Sequence, residues 1–344
     1  MARIALDAMG GDFAPKAAVS GALAALAEFD AAHRIALVGQ AAVIEATLAE
    51  LFAGEHAGQV GLRTRIDIID APEVIGMGDK PTVALRGKRK SSMVVGIQLH
   101  ASGDADAFVS AGNTGAQMAA SVVHLKLHAG LTRPAIGTIF PTAMRPVIVL
   151  DSGANVDCSA SELVQFARLG VTYAEDILER ANPVVGLLSI GEEPEKGNAV
   201  VKEAHQLLRA AGVNFQGNIE GRDIPKGASD RGPFDVVVCD GFTGNVILKF
   251  YESVAGTMGG WLVQAGVTKE QLGIAFSQLD YAAYGGAPLL GIRGVSIICH
   301  GASSSRAIKN AIGVALRAHA SGMSDHIGRR LTAGAPANDK ATAA

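Results

Sequence analysis

The 344-residue chain is poor in cysteine, aromatics and charge, and each shortage removes a class of answer. Its three cysteines, Cys158, Cys239 and Cys299, are odd in number, widely spaced and set in apolar or turn contexts. They support neither a disulfide framework nor a cysteine-based zinc site, and they fit a reducing cytosol. The formal net charge is only −3, so no basic field is available to displace counterions from a nucleic acid. No apolar run is long enough to cross a bilayer, and Met1 leads straight into a strand pattern at Ile4 without a secretory-type leader. A cytoplasmic protein is expected, any membrane role being peripheral. Also missing are a Gly-x-Ser-x-Gly nucleophile elbow, a Walker A loop, histidines at helical metal-pair spacing and the complete Gly-x-Gly-x-x-Gly dinucleotide fingerprint. Neither a metal nor a cofactor is expected.

What the chain does have is apolar bulk and small residues: 49% hydrophobic, with 42 glycines. That is enough to bury a large core of helices packed closely on a sheet. Short β-branched or leucine-rich runs at 4–7, 35–39, 66–70, 107–110, 136–139, 147–151, 184–190, 236–240 and 295–300 read as strands. Alanine-rich helical patterns separate most of them. The alternation predicts an α/β fold with a mainly parallel sheet and helices on both faces, since parallel neighbours need crossover connections. Pro15 suits the opening of a first helix that runs to about Phe29. No composition shift marks a linker, so residues 1–330 read as one body. Two stretches interrupt the alternation: a turn at 76–81 leading to a basic helix with Arg86, Lys88, Arg89 and Lys90, and residues 249–284, read as a pair of projecting helices. The tail, 331–344, is small, polar and aperiodic and reads as disordered.

Five strand-like runs end in a small or polar residue and turn directly into a helical pattern. They are IALDAMGGD from residue 4, FVSAGNTGA from 108, VLDSGANVD from 149, VVCDGFTGN from 237 and IICHGASSS from 297. In an open α/β sheet such turns lie at the carboxyl ends of strands, where N–H groups at helix starts hold anions. Several together point to a phosphate site. Asn113-Thr114 and Thr243-Gly244-Asn245 offer amides and hydroxyls to a ligand, with helix capping as the competing reading. Asp7, Asp151 and Asp240 end apolar runs near a glycine, where a carboxylate either orients a ligand or caps the next turn. His300 reads as an acid–base group or a satisfied turn histidine. In the loop SIGEEPEKGN, 189–198, Lys196 is placed to neutralise phosphate or polarise a carbonyl, against the reading of a solvated charged loop. The cluster from Arg86 to Lys90 is an exposed face or a docking patch for an acidic partner or anionic lipid. Phe250, Val254, Met258 and Trp261 or Leu262 fall near one helical face, suiting core, subunit interface or membrane contact.

Taken in order, DAMGGDFAP (7–15), KRKSSM (88–93), SAGNTGA (110–116), RPAIGTIFPT (133–142), LDSGANVD (150–157), GLLSIGEEPEKGN (186–198), DVVVCDGFTGN (235–245), YGGAPLLGIRG (284–294) and HGASSS (300–305) closely resemble the bacterial phosphate acyltransferase family. The resemblance runs from Met1 to about Leu316. It implies a Rossmann-like fold of the isopropylmalate dehydrogenase and phosphotransacetylase kind, a helical protrusion at about 249–284, a homodimer, and a cytoplasmic enzyme that visits the membrane surface. The implied reaction moves a fatty acyl group from acyl carrier protein to inorganic phosphate, giving acyl phosphate for phospholipid synthesis. A membrane glycerol-3-phosphate acyltransferase would act downstream. Phosphate brings its own nucleophilic oxygen, so no serine or cysteine nucleophile is required. On the family pattern Lys196 and Asn245 are catalytic, and Gly10, Gly11, Gly112, Asn113, Thr114, Asn198, Asp240, Ser303 and Ser304 hold phosphate or substrate. Arg86, Lys88, Arg89 and Lys90 would dock the carrier protein. Phe13 stands where relatives commonly carry His, and the 249–284 insertion is shorter than in many of them. The rival readings are a dinucleotide-dependent dehydrogenase on a related fold and a non-catalytic membrane adaptor for lipid enzymes.

Overall fold

The computed structural model describes residues 1–268, 270–272 and 284–333. In chain order the strands are β1 (Arg3–Asp7), β2 (Arg34–Gly39), β3 (Ile66–Asp70), β4 (Ala107–Ser110), β5 (Ala135–Ile136), β6 (Thr138–Phe140), β7 (Val147–Leu150), β8 (Val184–Ser189), β9 (Asn214–Glu220), β10 (Ala228–Ser229), β11 (Gly232–Pro233), β12 (Val236–Val238), β13 (Ala287–Leu290) and β14 (Ser296–Ile298). The helices used below are α1 (Lys16–Glu28), α2 (Ala41–Ala53), α3 (Pro81–Gly87), α4 (Ser92–Ser102), α5 (Thr114–Leu125), α6 (Ala160–Asp176), α7 (Ala199–Ala210), α8 (Gly241–Gln264) and α9 (Ser305–Ala320), followed by a last helix, Met323–Ala333. α1 starts behind Pro15 and is capped at Phe29, as the sequence predicts.

The α/β expectation holds, but twelve of the strands divide between two sheets, with β10 and β11 forming a separate antiparallel pair. The larger has the order β3-β2-β1-β4-β14-β13-β5 and the smaller β6-β7-β12-β8-β9. Within these two sheets pairing is parallel except where β13 meets β14 and β5, and where β6 meets β7. Period-two alternation gives each sheet two packed faces. Ile4 and Leu6 join a cluster with α1 and α9, whereas Ala5 between them faces Met93, Ile97 and Ala116 of α4 and α5. In the smaller sheet Ile148, Leu150, Val236 and Leu187 enter that first cluster, while Val149 and Val237 pack with Ile247, Leu248 and Tyr251 of α8. One hydrophobic cluster therefore spans both sheets.

Several boundaries differ from the sequence reading. The run 136–139, expected as one strand, is cut at Gly137: Ile136 belongs to the larger sheet and Ile139 to the smaller. Gly137 N–H donates to Pro288 O, and a Cβ there would lie 2.8 Å from Ile148 Cδ1, so the chain crosses where only a glycine fits. β9 and β13 were not anticipated. The first is interrupted by a bulge between Val185 and Gly186 of its partner, and the second carries Pro288 in place of a β-branched run. No basic helix begins at Arg86. α3 ends at Gly87 and α4 starts at Ser92, so Lys88, Arg89 and Lys90 form the link between them. The protrusion expected at 249–284 is, in its first part, the continuation of α8 from Gly241 to Gln264; residues 273–283 lie outside the described residues. The last helix extends to Ala333, past the expected start of the tail, whose remainder also lies outside them.

Candidate active site

The strand-end turns gather in two groups because the strands that feed them are neighbours. β1, β4 and β14 are adjacent in the larger sheet, and β7, β12 and β8 in the smaller. In the first group Asp12 N–H donates to Gly301 O at 2.8 Å, and a Cβ on Gly10 would stand 2.7 Å from Gly112 N. Gly11 has φ +99° and faces Gly301 O. The glycines at 10 and 11 are thus demanded by one turn resting on another. In the second group Gly241 N–H donates to Asn155 O at 2.8 Å, and a Cβ on Gly244 would collide with Asp151 O.

Each group is organised around a buried carboxyl. Asp7 accepts from Ser110 Oγ at 2.7 Å and from Met9 N at 3.1 Å, and Ser110 Oγ in turn accepts from Gly112 N at 2.9 Å. Asp151 accepts from Ile136 N and Ala154 N on one oxygen, and from Asn155 N and Asn155 Nδ2 on the other. Burial raises both carboxyls above the ordinary aspartate value, and these hydrogen bonds oppose the rise. Asp7 and Asp151 therefore serve as internal hydrogen-bond acceptors for their own turns.

Four of the expected ligand contacts are helix N-caps. Asn113 Oδ1 accepts from Ala116 N, while its Nδ2 donates to Met77 O and Asp79 O, both at 3.0 Å, tying α5 to the 76–79 loop. Asn198 accepts from Val201 N at 2.9 Å, Ser304 from Ala307 N at 3.3 Å, and Asp240 from both Thr243 N and Thr243 Oγ1. Thr114 is exposed at the first position of α5. Ser303 and Ser304 line a cavity of about 280 Å³ shared with Glu252 of α8, which brings the larger sheet's last turn against the helix that opens the smaller sheet's site. His300 is exposed, and its Nδ1 accepts from Ala302 N, the hydrogen bond of a turn histidine.

Lys196 and Asn245 stand on two elements of the second group. Asn245 lies on the first turns of α8 with its side chain against Gly153, 3.6 Å from a Cβ placed there. Lys196 is exposed, and among the described residues its Nζ has no hydrogen bond or ion pair. Its loop is held from beneath by residues that sequence reasoning missed. Buried Asn218 donates to Glu193 O at 2.8 Å while its Oδ1 meets His205 Nδ1, and Arg231 donates to Glu192 O at 2.8 Å and to Gln216 O. Nothing in the polar string NFQGNIE distinguishes Asn218 from a surface residue.

Between these elements opens a cavity of about 680 Å³, bordered by Gly197, Asn198, Asp240 and Thr243 on one side and by Leu163, Leu187, Leu188, Val200 and Val201 on the other. Its thiols are inert: burial pushes Cys158 up to about 12 and Cys239 well above its ordinary value. Among the expected docking cations, Lys88 has a partner within the chain. It is half-buried, with Nζ bound to Asp79 at 2.6 Å and to Val74 O, and so ties the α3–α4 link to the 76–79 loop. Arg86, Arg89 and Lys90 are exposed, and the two arginines flank a cavity of about 460 Å³ floored by Leu85, Val94, Ala120 and Val123.

The chain matches the model of a family described as fatty acid synthesis protein over residues 2–326. It is 48% identical over 325 residues to a phosphate acyltransferase of Desulforamulus reducens, covering 92% of this chain and 93% of that one. To one of Desulfitobacterium hafniense it is 46% identical over 343 residues, covering 96% and 98%. Among solved structures it resembles a phosphotransacetylase from Streptococcus pyogenes, with TM-score 0.63, 16% identity and coverage of 93% and 94%. It also resembles a 4-hydroxythreonine-4-phosphate dehydrogenase from Klebsiella pneumoniae, with TM-score 0.53, 14% identity and coverage of 93% and 98%, a likeness of fold alone. With near-half identity running almost end to end, the chain belongs to the phosphate acyltransferase family.

Proposed function

We propose that the protein transfers a fatty acyl group from acyl carrier protein to inorganic phosphate. A phosphate oxygen attacks the thioester carbonyl, a C–O bond forms, the C–S bond breaks, and the proton leaving phosphate ends on the carrier thiol. The product is an acyl phosphate that a membrane glycerol-3-phosphate acyltransferase consumes on the way to phosphatidic acid. In this reading Lys196 Nζ and the Asn245 amide stabilise charge on phosphate and on the developing oxyanion. The turns at Gly10-Gly11, Gly112–Thr114 and Ser303-Ser304, with Asn198 and Asp240, shape the phosphate and substrate side. Arg86, Arg89 and Lys90 meet the acidic carrier. The protein works as a cytoplasmic homodimer that visits the membrane surface.

The observation that carries the reading is the near-full-length identity to phosphate acyltransferases in a chain where Lys196, without a partner among the described residues, immediately precedes Gly197 in the lining of an amphipathic cavity at the strand ends. Purified protein given acyl carrier protein substrate and phosphate should release free thiol and yield a hydroxylamine-trappable acyl phosphate, both dependent on phosphate. Thiol release without phosphate would make it a thioesterase, and no release at all would return the adaptor reading. NAD binding measured by fluorescence would favour the dehydrogenase.

A further inference from the structure

We infer that the 680 Å³ cavity at the carboxyl ends of β8 and β12 seats the acyl chain, and that Val200 and Val201 at the start of α7 set how long a chain it accepts. The inference rests on the acyl-transfer reading and goes beyond it by giving the tail a place.

The cavity has the two-sided chemistry of an acyl thioester. Its wall is formed by Leu163 of α6, Leu187 and Leu188 of β8 and the two valines, and is continuous with the main hydrophobic cluster. Its rim is polar, through Asn198, Asp240 and Thr243. Lys196 immediately precedes the lining residue Gly197, and Asn245 lies two residues beyond the lining residue Thr243. In the acyl-transfer reading the thioester carbonyl sits at this polar rim, with the apolar wall on its alkyl side. Ser189 Oγ borders the same space, is buried, and has no hydrogen-bond partner among the described residues. An orphaned hydroxyl at the junction of rim and wall is what a ligand's polar head would satisfy. The volume falls in the range of small-molecule sites, roughly 300–1,000 Å³. Gly197 has φ +99°, and a Cβ there would press on Val201 at 2.7 Å, so the turn carrying Lys196 and the valine in the wall are set against each other.

A second apolar hollow of about 360 Å³, between Ile224 and α8 residues Ile247, Phe250, Val254 and Met258, is the competing seat. It has no comparable polar rim beside Lys196 or Asn245.

The test uses an acyl-carrier substrate with a diazirine at the chain terminus, photolysed on the wild-type protein. Adducts are expected on peptides spanning 187–201; adducts confined to the 224–258 hollow would overturn the assignment. Independently, Val200→Phe should lower the long-chain to short-chain ratio of kcat/KM by roughly tenfold or more. Val200→Ala should shift preference toward longer chains, and keeps the test alive if the larger residue prevents folding. Phosphate-dependent turnover whose chain-length profile is the same in all variants would sink the cavity assignment alone. Absence of phosphate-dependent turnover with every donor would sink the acyl-transfer reading instead.

Discussion

Asp151 accepts four hydrogen bonds, two on each carboxylate oxygen, so its charge state and shape both matter. Asp151→Asn would turn an NH₂ toward two N–H donors and should cost about 2–5 kcal/mol of stability, read by urea unfolding. Burial lifts Asp7 and Asp151 above their unfolded value of 3.8. The folded state then binds the proton more tightly. Each carboxyl's stabilising contribution is complete below that unfolded value and is lost as pH rises through the folded one. Carbon-13 titration of the carboxyls should place both midpoints above the ordinary aspartate value; midpoints at or below it would contradict the burial argument. Among the described residues Lys196 Nζ makes no bond to lose, so Lys196→Ala should melt like the parent while turnover falls on the order of 100-fold. Unchanged turnover would remove it from the mechanism.

Loops and helices act here as carriers of those side chains, and two can be tested as elements. The loop with Lys196 is pinned through its own carbonyls by Asn218 and Arg231. Arg231→Met should quicken hydrogen exchange across 190–198 and lower kcat by about tenfold, as a mispositioned group does. An equal exchange increase across the whole protein would mean global destabilisation instead. Around the end of α3, reversing Arg86 and Arg89 to Glu should raise KM for carrier-bound donors at low salt while leaving a small thioester donor unaffected. Lys88→Ala differs in kind: it frees Asp79 and should loosen the 76–79 loop. The α8 stripe predicted from Phe250 to Trp261 is realised as an exposed face, with those two aromatics 68% and 64% accessible, and no helix among the described residues is long and apolar enough to cross a membrane.

At the scale of the whole molecule, a hydrophobic cluster shared by both sheets couples them, so fluorescence and circular dichroism should report one coincident unfolding transition. Two separated transitions would mean independently stable lobes. The sequence by itself determined most strands, the first helix and the motif order that places the chain in its family, because apolar period, turn chemistry and capping are local properties. It did not reveal β9, whose string is polar, or β13, which contains a proline. The division into two sheets was decided at Gly137, where packing against Ile148 and the bond to Pro288 act across long stretches of chain. Tertiary structure alone also supplied the partners of Asp7, Asp151 and Asn113: their donors and acceptors come from residues far apart or newly folded against them. A residue's type fixes what bonds it can make; only the folded neighbours decide which of them are already spent.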